Sequence, residues 1–383
     1  MPELHHNSPD IEKWLTLARA KEVGPKTFLR LLEHFGSVGK ATRATVLDLR
    51  RIKGIGDQTA RKIVSSIGEF DVSKELHLAK KLGVHLIHYE DPRYPPGLKQ
   101  IDSPPPILYV KGSIIETDKL AIAIVGSRAH DYYGQEQASR FAYTLASSGF
   151  TVISGMAAGI DSWAHKGAVN ARGRTIAIQG CGLAHIFPQE NTNLFNNIPK
   201  HGACISELPL ETEPRGENYP ARNRIIAGLA IATLVIQASG RSGALITAKY
   251  AMETGREVMA VPGNIDNPLN QGCHQLIKQG AKLIENIDDI MEAIDYFGAT
   301  VKDYVAQTTS KAEKDLFSSQ PDISELNLSD AERKLYEIIK NKPDHIDHLI
   351  RSSGLGTGQV NAALITLRLK GLIRQHPGNH YSR

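Results

Sequence analysis

The residues with the clearest chemical potential follow two apolar runs in the middle of the chain. Residues 120–125 end in Gly126-Ser127-Arg128, and residues 150–153 end in Ser154-Gly155-Met156-Ala157. Both runs predict buried strands, and in an open α/β sheet ligands bind outside the carboxyl ends of the strands. Amides in such small-residue loops bind anions such as phosphate, and the Arg128 guanidinium matches a phosphate with its planar fork. The two loops therefore predict a phosphate-binding crevice.

A third group of polar residues opens an apolar stretch further along the chain. Arg222, Asn223 and Arg224 stand at the start of a predicted helix in residues 218–229. Positions i and i+2 do not share a helix face. One arginine is therefore expected to face the crevice, while the other braces a carboxylate or lies at the surface.

A third glycine-containing loop with a cation follows another apolar run. Residues 239–243 supply Arg241, Ser242 and Gly243, and Ser242 can cap the helix that follows. A further strand end is predicted at residues 260–263. Small-residue loops that carry several arginines would form a basic trough rather than a point site, and a trough fits a polyanion better than one nucleotide.

Motifs for other chemistry are missing or have simpler explanations. The segment after residue 125 is not Gly-x-Gly-x-x-Gly, and no Gly-x-x-x-x-Gly-Lys-Ser/Thr occurs, so a nucleotide cofactor has no support. Asp161 and His165 could form a catalytic pair, but an N-cap role for Asp161 and packing of His165 explain them better. Glu207 is a candidate partner for an arginine, with a general base as the alternative. No metal-ligand cluster stands out, and no cofactor is predicted.

The composition limits the class of protein. The chain has 383 residues and a net charge of +4, which permits nucleic-acid binding without requiring it. No apolar stretch is long enough for a membrane span, and the polar start makes a signal peptide an unfavoured interpretation. Three scattered cysteines form no disulfide or zinc pattern and fit a reducing compartment. We therefore expect a cytoplasmic protein.

The N-terminal part, residues 1–90, reads as a helical domain. Its turn Gly54-Ile55-Gly56 between two helices resembles a helix-hairpin-helix, SAM-like element, with Asp57 able to cap the second helix. Such a hairpin could present amides to a nucleic-acid phosphate, or its glycines could simply close a tight turn. Residues 91–112 are rich in proline and predict an extended connector.

The central domain, residues 113–297, alternates strands with helices, which predicts an α/β fold with a mostly parallel sheet. The polar residues 298–327 predict a flexible linker. Residues 328–383 predict three helices and a hairpin around Pro377-Gly378, a winged helix. That module could read DNA, or it could dock a protein partner or a second subunit. The predicted strands are 120–125, 150–153, 174–179, 203–206, 232–237 and 257–261.

Taken together, these stretches resemble the DNA-processing protein A family, also called DprA or Smf. The resemblance covers nearly the whole chain and rests on an ordered series of motifs. These are residues 94–98, 126–128, 154–161 with Ala164-His165, Phe187-Pro188 with Asn191 and Leu194, Ser206-Glu207, 219–227, 242–248, Gly255-Arg256, 261–263 and 279–281.

The resemblance implies an extended Rossmann-like domain that binds single-stranded DNA, forms a homodimer and loads a RecA-type recombinase. It also implies that incoming DNA is protected during natural transformation. By motif, Arg128 is the main phosphate clamp, the 154–159 and 242–245 loops offer backbone contacts, and Asn191 borders the same pocket. Phe195 could stack on a base, although packing is the commoner fate of such a residue.

The chain departs from the family pattern at two places. Ala158 stands where an arginine is frequent, and Cys273-His274 replaces a small polar residue and an asparagine. The leading interpretation is a non-enzymatic DNA-binding mediator of recombination. The alternatives are a nucleotide-phosphate hydrolase or nucleotide sensor on a related Rossmann-like fold, and a scaffold whose DNA binding is incidental.

Overall fold

A computed structural model describes residues 10–294, 330–340, 344–369, 372–376 and 380–382. The chain forms two compact units, which divide at residue 310. The predicted linker 298–327 and the predicted turn Pro377-Gly378 lie outside the described residues. We describe each unit by itself.

The first unit begins with six helices that share one hydrophobic core. Trp14, Phe28, Leu31 and Ile63 are fully buried in it. The prediction that Asp57 caps a helix is wrong, because Gly56 is the N-cap residue and the Asp57 carboxylate pairs with Arg61 instead. The helices are α1 (Ile11–Ala18), α2 (Pro25–Phe35), α3 (Val38–Ala41), α4 (Val46–Arg50), α5 (Asp57–Ser66) and α6 (Val72–Leu82).

The same unit contains a nine-stranded sheet. Its order is β1-β2-β6-β5-β4-β3-β7-β8-β9, with β1–β2 and β2–β6 antiparallel and all other pairs parallel. The predicted fold class is confirmed. The strands are β1 (Val84–His88), β2 (Ile107–Gly112), β3 (Ala121–Val125), β4 (Thr151–Ser154), β5 (Thr175–Ile178), β6 (Gly202–Ser206), β7 (Ala232–Val235), β8 (Glu257–Ala260) and β9 (Lys282–Leu283).

Strands β1 and β2 correct the predicted domain limits. The sequence interpretation placed β1 in the helical domain 1–90 and β2 in the connector 91–112, yet both belong to the central sheet. The proline run stops at Pro106, so every residue of β2 keeps the amide that a strand needs. Tyr109 pairs in register with Ser206 of β6. The proline-rich segment therefore connects two strands of the sheet, β1 and β2.

Helices cover both faces of the sheet, as alternation along β3 requires. Ala121, Ala123 and Val125 pack toward one face, and Ile122 and Ile124 pack toward the other. The helices of this part are α7 (Tyr132–Ser147), α8 (Ile160–Asn170), α9 (Thr192–His201), α10 (Asn218–Leu229), α11 (Ala244–Glu253), α12 (Gln271–Lys278) and α13 (Ile287–Ile294).

The second unit has the three helices and small sheet of a winged helix. Its core is built from Leu335, Leu349, Leu364 and Tyr381. The strands run in the order β10-β12-β11, with antiparallel pairing. The elements are α14 (Asp330–Ile338), β10 (Asp344–His345), α15 (Ile346–Ser353), α16 (Thr357–Leu369), β11 (Arg374–His376) and β12 (His380–Ser382).

Candidate nucleic-acid interface

The strand order creates a crevice at one edge of the sheet. Strands β3 and β7 are neighbours, but the chain leaves β3 toward β4 on one side and leaves β7 toward β8 on the other. Such a switch point opens a ligand crevice outside the carboxyl ends of the strands. A cavity of about 460 Å³ lies there, and we call it the trough. Nine of the predicted site residues line it: Gly126, Ser127, Arg128, Ala157, Arg222, Asn223, Arg241, Ser242 and Gly243.

The loop after β3 is held by its backbone. The Ser127 amide donates to the Gln237 carbonyl at 2.7 Å, which ties this loop to the one after β7. Gly126 has no room for a side chain, because a Cβ would lie 2.5 Å from Cγ1 of Ile160. The exposed Arg128 guanidinium lies 5.3 Å from the Tyr219 ring centroid. No carboxylate in the described part of the chain pairs with Arg128, so its charge is available to a ligand.

The loop after β7 forms the facing wall. Arg241 is exposed and forms no ion pair with any described residue. The prediction that Ser242 caps α11 is wrong, because Gly243 is the N-cap residue. The Ser242 hydroxyl accepts from the Ala244 amide at 3.3 Å. The Asn223 amide donates to the Gly243 carbonyl at 3.2 Å and joins α10 to this loop.

Arg222 lines the trough, although its side chain is only 4% exposed. Its guanidinium donates to the carbonyls of Gly155 and Ile178. The Asp161 carboxylate accepts from the amides of Gly155 and Ala157 at 3.2 and 3.4 Å. A Cβ on Gly155 would lie 2.6 Å from both Arg222 Nη1 and Asp161 Oδ2, so the glycine permits this close approach. The two charged groups fix the loop after β4.

Burial shifts the protonation equilibria of both groups. It raises the pKa of the Asp161 carboxyl, against the opposing effect of Arg222, and it lowers the pKa of the Arg222 guanidinium, against the opposing effect of Asp161. Asp161 is not the N-cap that the sequence predicted. Helix α8 begins at Ile160, and Gly159 is its N-cap residue. The carboxylate reaches the preceding loop rather than the helix amides.

Several predicted residues support the trough without lining it. Ser154 and Met156 are fully buried, and the Ser154 hydroxyl donates to the Ile124 carbonyl at 2.6 Å. Gly155 is also absent from the lining. The buried Asn191 amide donates to the Met156 carbonyl and to the Ser162 hydroxyl, at 3.0 and 2.7 Å. These residues hold the loop from inside the protein and present no side chain to a ligand.

Phe195 cannot stack on a base in this structure. Its side chain is 1% exposed and packs in the core, with Lys111 Nζ 5.5 Å from the ring centroid. The aromatic residue at the trough is Tyr219, whose ring centroid lies 5.8 Å from that of Phe187. The sequence did carry a signal for it, since Tyr219 precedes Arg222 by three positions and therefore shares its helix face.

Arg224 faces away from the trough. Its guanidinium donates to both carboxylate oxygens of Glu207, at 2.8 and 2.6 Å, and to the Ser103 carbonyl. Arg224 is therefore a structural residue, and its predicted DNA contact does not fit this position. The prediction that one arginine of the pair contacts a carboxylate is confirmed, and so is the prediction that Glu207 is the partner of an arginine.

His165 is a packed histidine. It is fully buried, and its Nδ1 lies 2.7 Å from the Thr175 hydroxyl. That hydroxyl donates to the Val152 carbonyl, so it accepts from Nδ1–H of His165. Burial lowers the pKa of the imidazole to about 3. The side chain is therefore neutral and joins α8 to the sheet.

This buried imidazole predicts a loss of stability in mild acid. Below its unfolded pKa of 6.5 the unfolded chain binds a proton that the folded chain excludes, so stability falls as the pH drops toward 3. Between pH 6.5 and 5 the loss due to His165 should be about 2 kcal/mol. Urea unfolding of His165→Gln should show a flatter pH dependence. His77→Gln, at an exposed site, should keep the wild-type dependence, and equal slopes in all three proteins would refute the assignment.

Other kinds of site find no support in the described ranges. No three His, Cys, Asp or Glu side chains there come together as a metal site. No helix among these residues is long and apolar enough to cross a membrane. Cys181, Cys204 and Cys273 are buried free thiols.

Three family models match successive parts of the chain. Residues 85–295 match the model for DNA recombination-mediator protein A, which is more than half of the chain. Residues 15–69 match a SAM-like helix-hairpin-helix tandem. Residues 319–379 match the DprA winged helix domain.

Curated relatives and solved structures agree with these matches. Protein Smf of Synechocystis is 33% identical over 97% of this chain and 98% of its own length, and Protein Smf of Escherichia coli is 38% identical over 77% and 76%. DNA processing protein A of Streptococcus pneumoniae superposes with a TM-score of 0.65 at 31% identity, covering 75% of this chain and 98% of that one. The chain therefore belongs to the DprA/Smf family of DNA recombination-mediator proteins.

Proposed function

We propose that this protein binds single-stranded DNA in the trough and acts there as a non-enzymatic mediator of recombination. The observation that carries the proposal is the pair of exposed arginines, Arg128 and Arg241, on small-residue loops at the switch point of the sheet. Their guanidinium groups have no carboxylate partners among the described residues. They are therefore free to contact a phosphate backbone.

The shape and chemistry of the trough favour a single strand without strong base preference. Arg128, Arg241 and exposed backbone contact phosphates, which carry no sequence information. Tyr219 offers one aromatic ring, on which any base can stack. A structural relative at 26% identity and a TM-score of 0.50, covering 55% of this chain and 95% of that one, is described as DNA processing protein A from Helicobacter pylori with a unique single-stranded DNA binding mode.

We extend the proposal to the partners expected for this family. The bound strand would be protected and passed to a RecA-type recombinase during natural transformation, in the cytoplasm, by a homodimer. Membership of a recombination-mediator family supports this role. The winged helix in residues 328–383 would serve as a docking module or a further DNA contact, and residues 298–327 would link it to the rest of the chain.

The test is equilibrium binding of oligothymidine and oligoadenine over a range of salt concentrations. Both strands should bind with similar affinity, and log K should fall with log salt by about 0.7 per phosphate contact. Nucleoside triphosphates incubated with the protein should remain intact. Strong preference for one base, salt-independent binding or nucleotide turnover would contradict the proposal, and turnover would favour a hydrolase.

A further inference from the structure

Another cavity lies at the opposite edge of the sheet from the trough, and we call it the rear cavity. Its volume is about 640 Å³, which is larger than that of the trough and suits a small-molecule site. It lies at the amino ends of the parallel strands, because its lining includes residues from the segments that precede β3, β7 and β8: 114–119, 229–231 and 254–256. No residue lines both cavities.

Much of the rear cavity is apolar. Ile153 of β4 and Ile176 of β5 line it, and both belong to the hydrophobic core on this face of the sheet. Leu229, at the end of α10, also contributes to the lining. Pro96 and Ile115 are exposed lining residues, so the cavity is open to solvent. These walls can hold the apolar part of a small molecule.

One charged side chain in the rear cavity, Arg256, has no carboxylate partner among the described residues. Its guanidinium donates to the carbonyls of Gly97, Gly228 and Ala230, at 2.8, 2.7 and 2.9 Å. Those bonds use Nε and Nη2, whereas Nη1 has only a long bond of 3.4 Å to the Thr254 carbonyl. Burial lowers the pKa of this guanidinium, and no carboxylate opposes the effect. Nη1 is therefore a charged donor with spare capacity.

The other charged side chains that line the rear cavity are paired. Each has a partner of opposite charge: Arg93 with Asp91 and Asp118 with Arg174, both at 2.7 Å, and Lys119 with Glu116 at 3.3 Å. The carbonyls at the end of α10 offset part of the charge of Arg256, since a helix end carries about half an elementary charge. The rear cavity therefore keeps an excess positive charge at Arg256.

We propose that the rear cavity binds a small monoanion, a carboxylate or sulfonate on an apolar body. The apolar body packs against Ile153 and Ile176, and the acid group accepts a hydrogen bond from Nη1 of Arg256. A single negative charge matches the one cation that lacks a partner. This site is independent of DNA binding in the trough, because the two cavities share no residue.

The test uses two acids with different apolar bodies, 2-naphthoate and octanoate, each compared with its neutral amide. Equilibrium dialysis at neutral pH measures the four affinities. At least one acid should bind roughly 10-fold more tightly than its amide, because a hydrogen bond to a charged group is the stronger kind. The acid that shows this preference identifies an aromatic or an aliphatic body. The proposal is overturned if neither acid binds more tightly than its amide.

Two variants test the position of the bound acid. Arg256→Gln should abolish the preference for the acid over the amide, whereas Arg172→Gln, at an exposed arginine outside the rear cavity, should keep it. Because Arg256 also holds backbone carbonyls, a second variant leaves it in place. Ile115→Trp narrows the cavity and should weaken the binding of acid and amide alike. Leu283→Trp is its control, since Ile115 and Leu283 are 42% and 41% exposed and Leu283 lies outside the cavity.

Three results would place the acid elsewhere and overturn the site. One is a folded Arg256→Gln protein that keeps the preference for the acid. Another is equal affinity of the Ile115→Trp and Leu283→Trp proteins, with thermal unfolding showing that both are folded. The third is displacement of the acid by oligothymidine, which would locate it in the trough. Loss of oligothymidine binding in any trough variant leaves the rear cavity intact, so the two proposals fail separately.

Discussion

Replacing Arg128 by alanine should weaken oligothymidine binding by about 10- to 100-fold. The guanidinium is exposed at the carboxyl end of β3 and has no carboxylate partner in the described part of the chain. A hydrogen bond to a charged group contributes about 1.5–3 kcal/mol, and each 1.4 kcal/mol changes Kd tenfold. Fluorescence anisotropy with labelled oligothymidine measures the change. Thermal unfolding should stay near wild type, because no core contact is lost.

Two further variants show whether the effect belongs to this position. Arg128→Lys keeps the charge but loses the planar fork, so its affinity should fall between those of the wild type and the alanine variant. Arg172→Ala removes an exposed arginine between α8 and β5, at the amino ends of the parallel strands, and should bind as the wild type does. Equal affinities of the Arg128→Ala and Arg172→Ala proteins would remove Arg128 from the binding surface.

The parallel strands could be predicted from sequence because they are buried on both faces. Each reads as a continuous apolar run, and all six predicted runs correspond to strands β3 to β8, with ends that differ by at most two residues. Strands β1 and β2 were not predicted, because the residues between them are rich in proline and proline favours irregular chain. Strand β2 pairs with β6, about a hundred residues further along the chain, and β1 pairs with β2. Strand β9 has only two residues, which is too short to show a strand pattern in the sequence.

The loops of the site could also be predicted, whereas the directions of their side chains could not. Glycine and serine at strand ends located the trough, because such loops leave backbone free. Whether Asn191 and Phe195 point outward depends on how α9 packs on the sheet, which local spacing does not reveal. Phe195 is held in the core by residues from β2 and β6 as well as its own helix.

The two arginines of α10 show where local geometry suffices. Because Arg222 and Arg224 are two positions apart, they lie on different faces of the helix. They indeed contact different parts of the structure. Spacing did not reveal that Arg222 is buried against backbone carbonyls. That role follows from Gly155, on the loop after β4, and from Asp161, in the first turn of α8. The exposed positive charge of the trough therefore comes from Arg128 and Arg241.

Asp161→Ala should cause a large loss of stability, about 3–5 kcal/mol in the free energy of unfolding. The substitution removes the nearby carboxylate whose charge favours the charged form of the buried Arg222 guanidinium, and removing one of two opposite buried charges carries this cost. The amides of Gly155 and Ala157 also lose their acceptor. Urea unfolding at neutral pH measures the loss. Asp57→Ala, at an exposed pair with Arg61, should leave the free energy of unfolding close to that of the wild type.

A double variant separates the two causes of this loss. Asp161→Ala/Arg222→Met removes both charges and replaces the guanidinium with an apolar chain. If an uncompensated charge dominates, the double variant should be more stable than Asp161→Ala alone, because buried pairs replaced together by apolar groups often cost little. If stability does not recover, the lost bonds to the loop backbone dominate instead. Recovery of stability with weaker oligothymidine binding would show that the pair serves to hold the loop after β4 in its binding conformation.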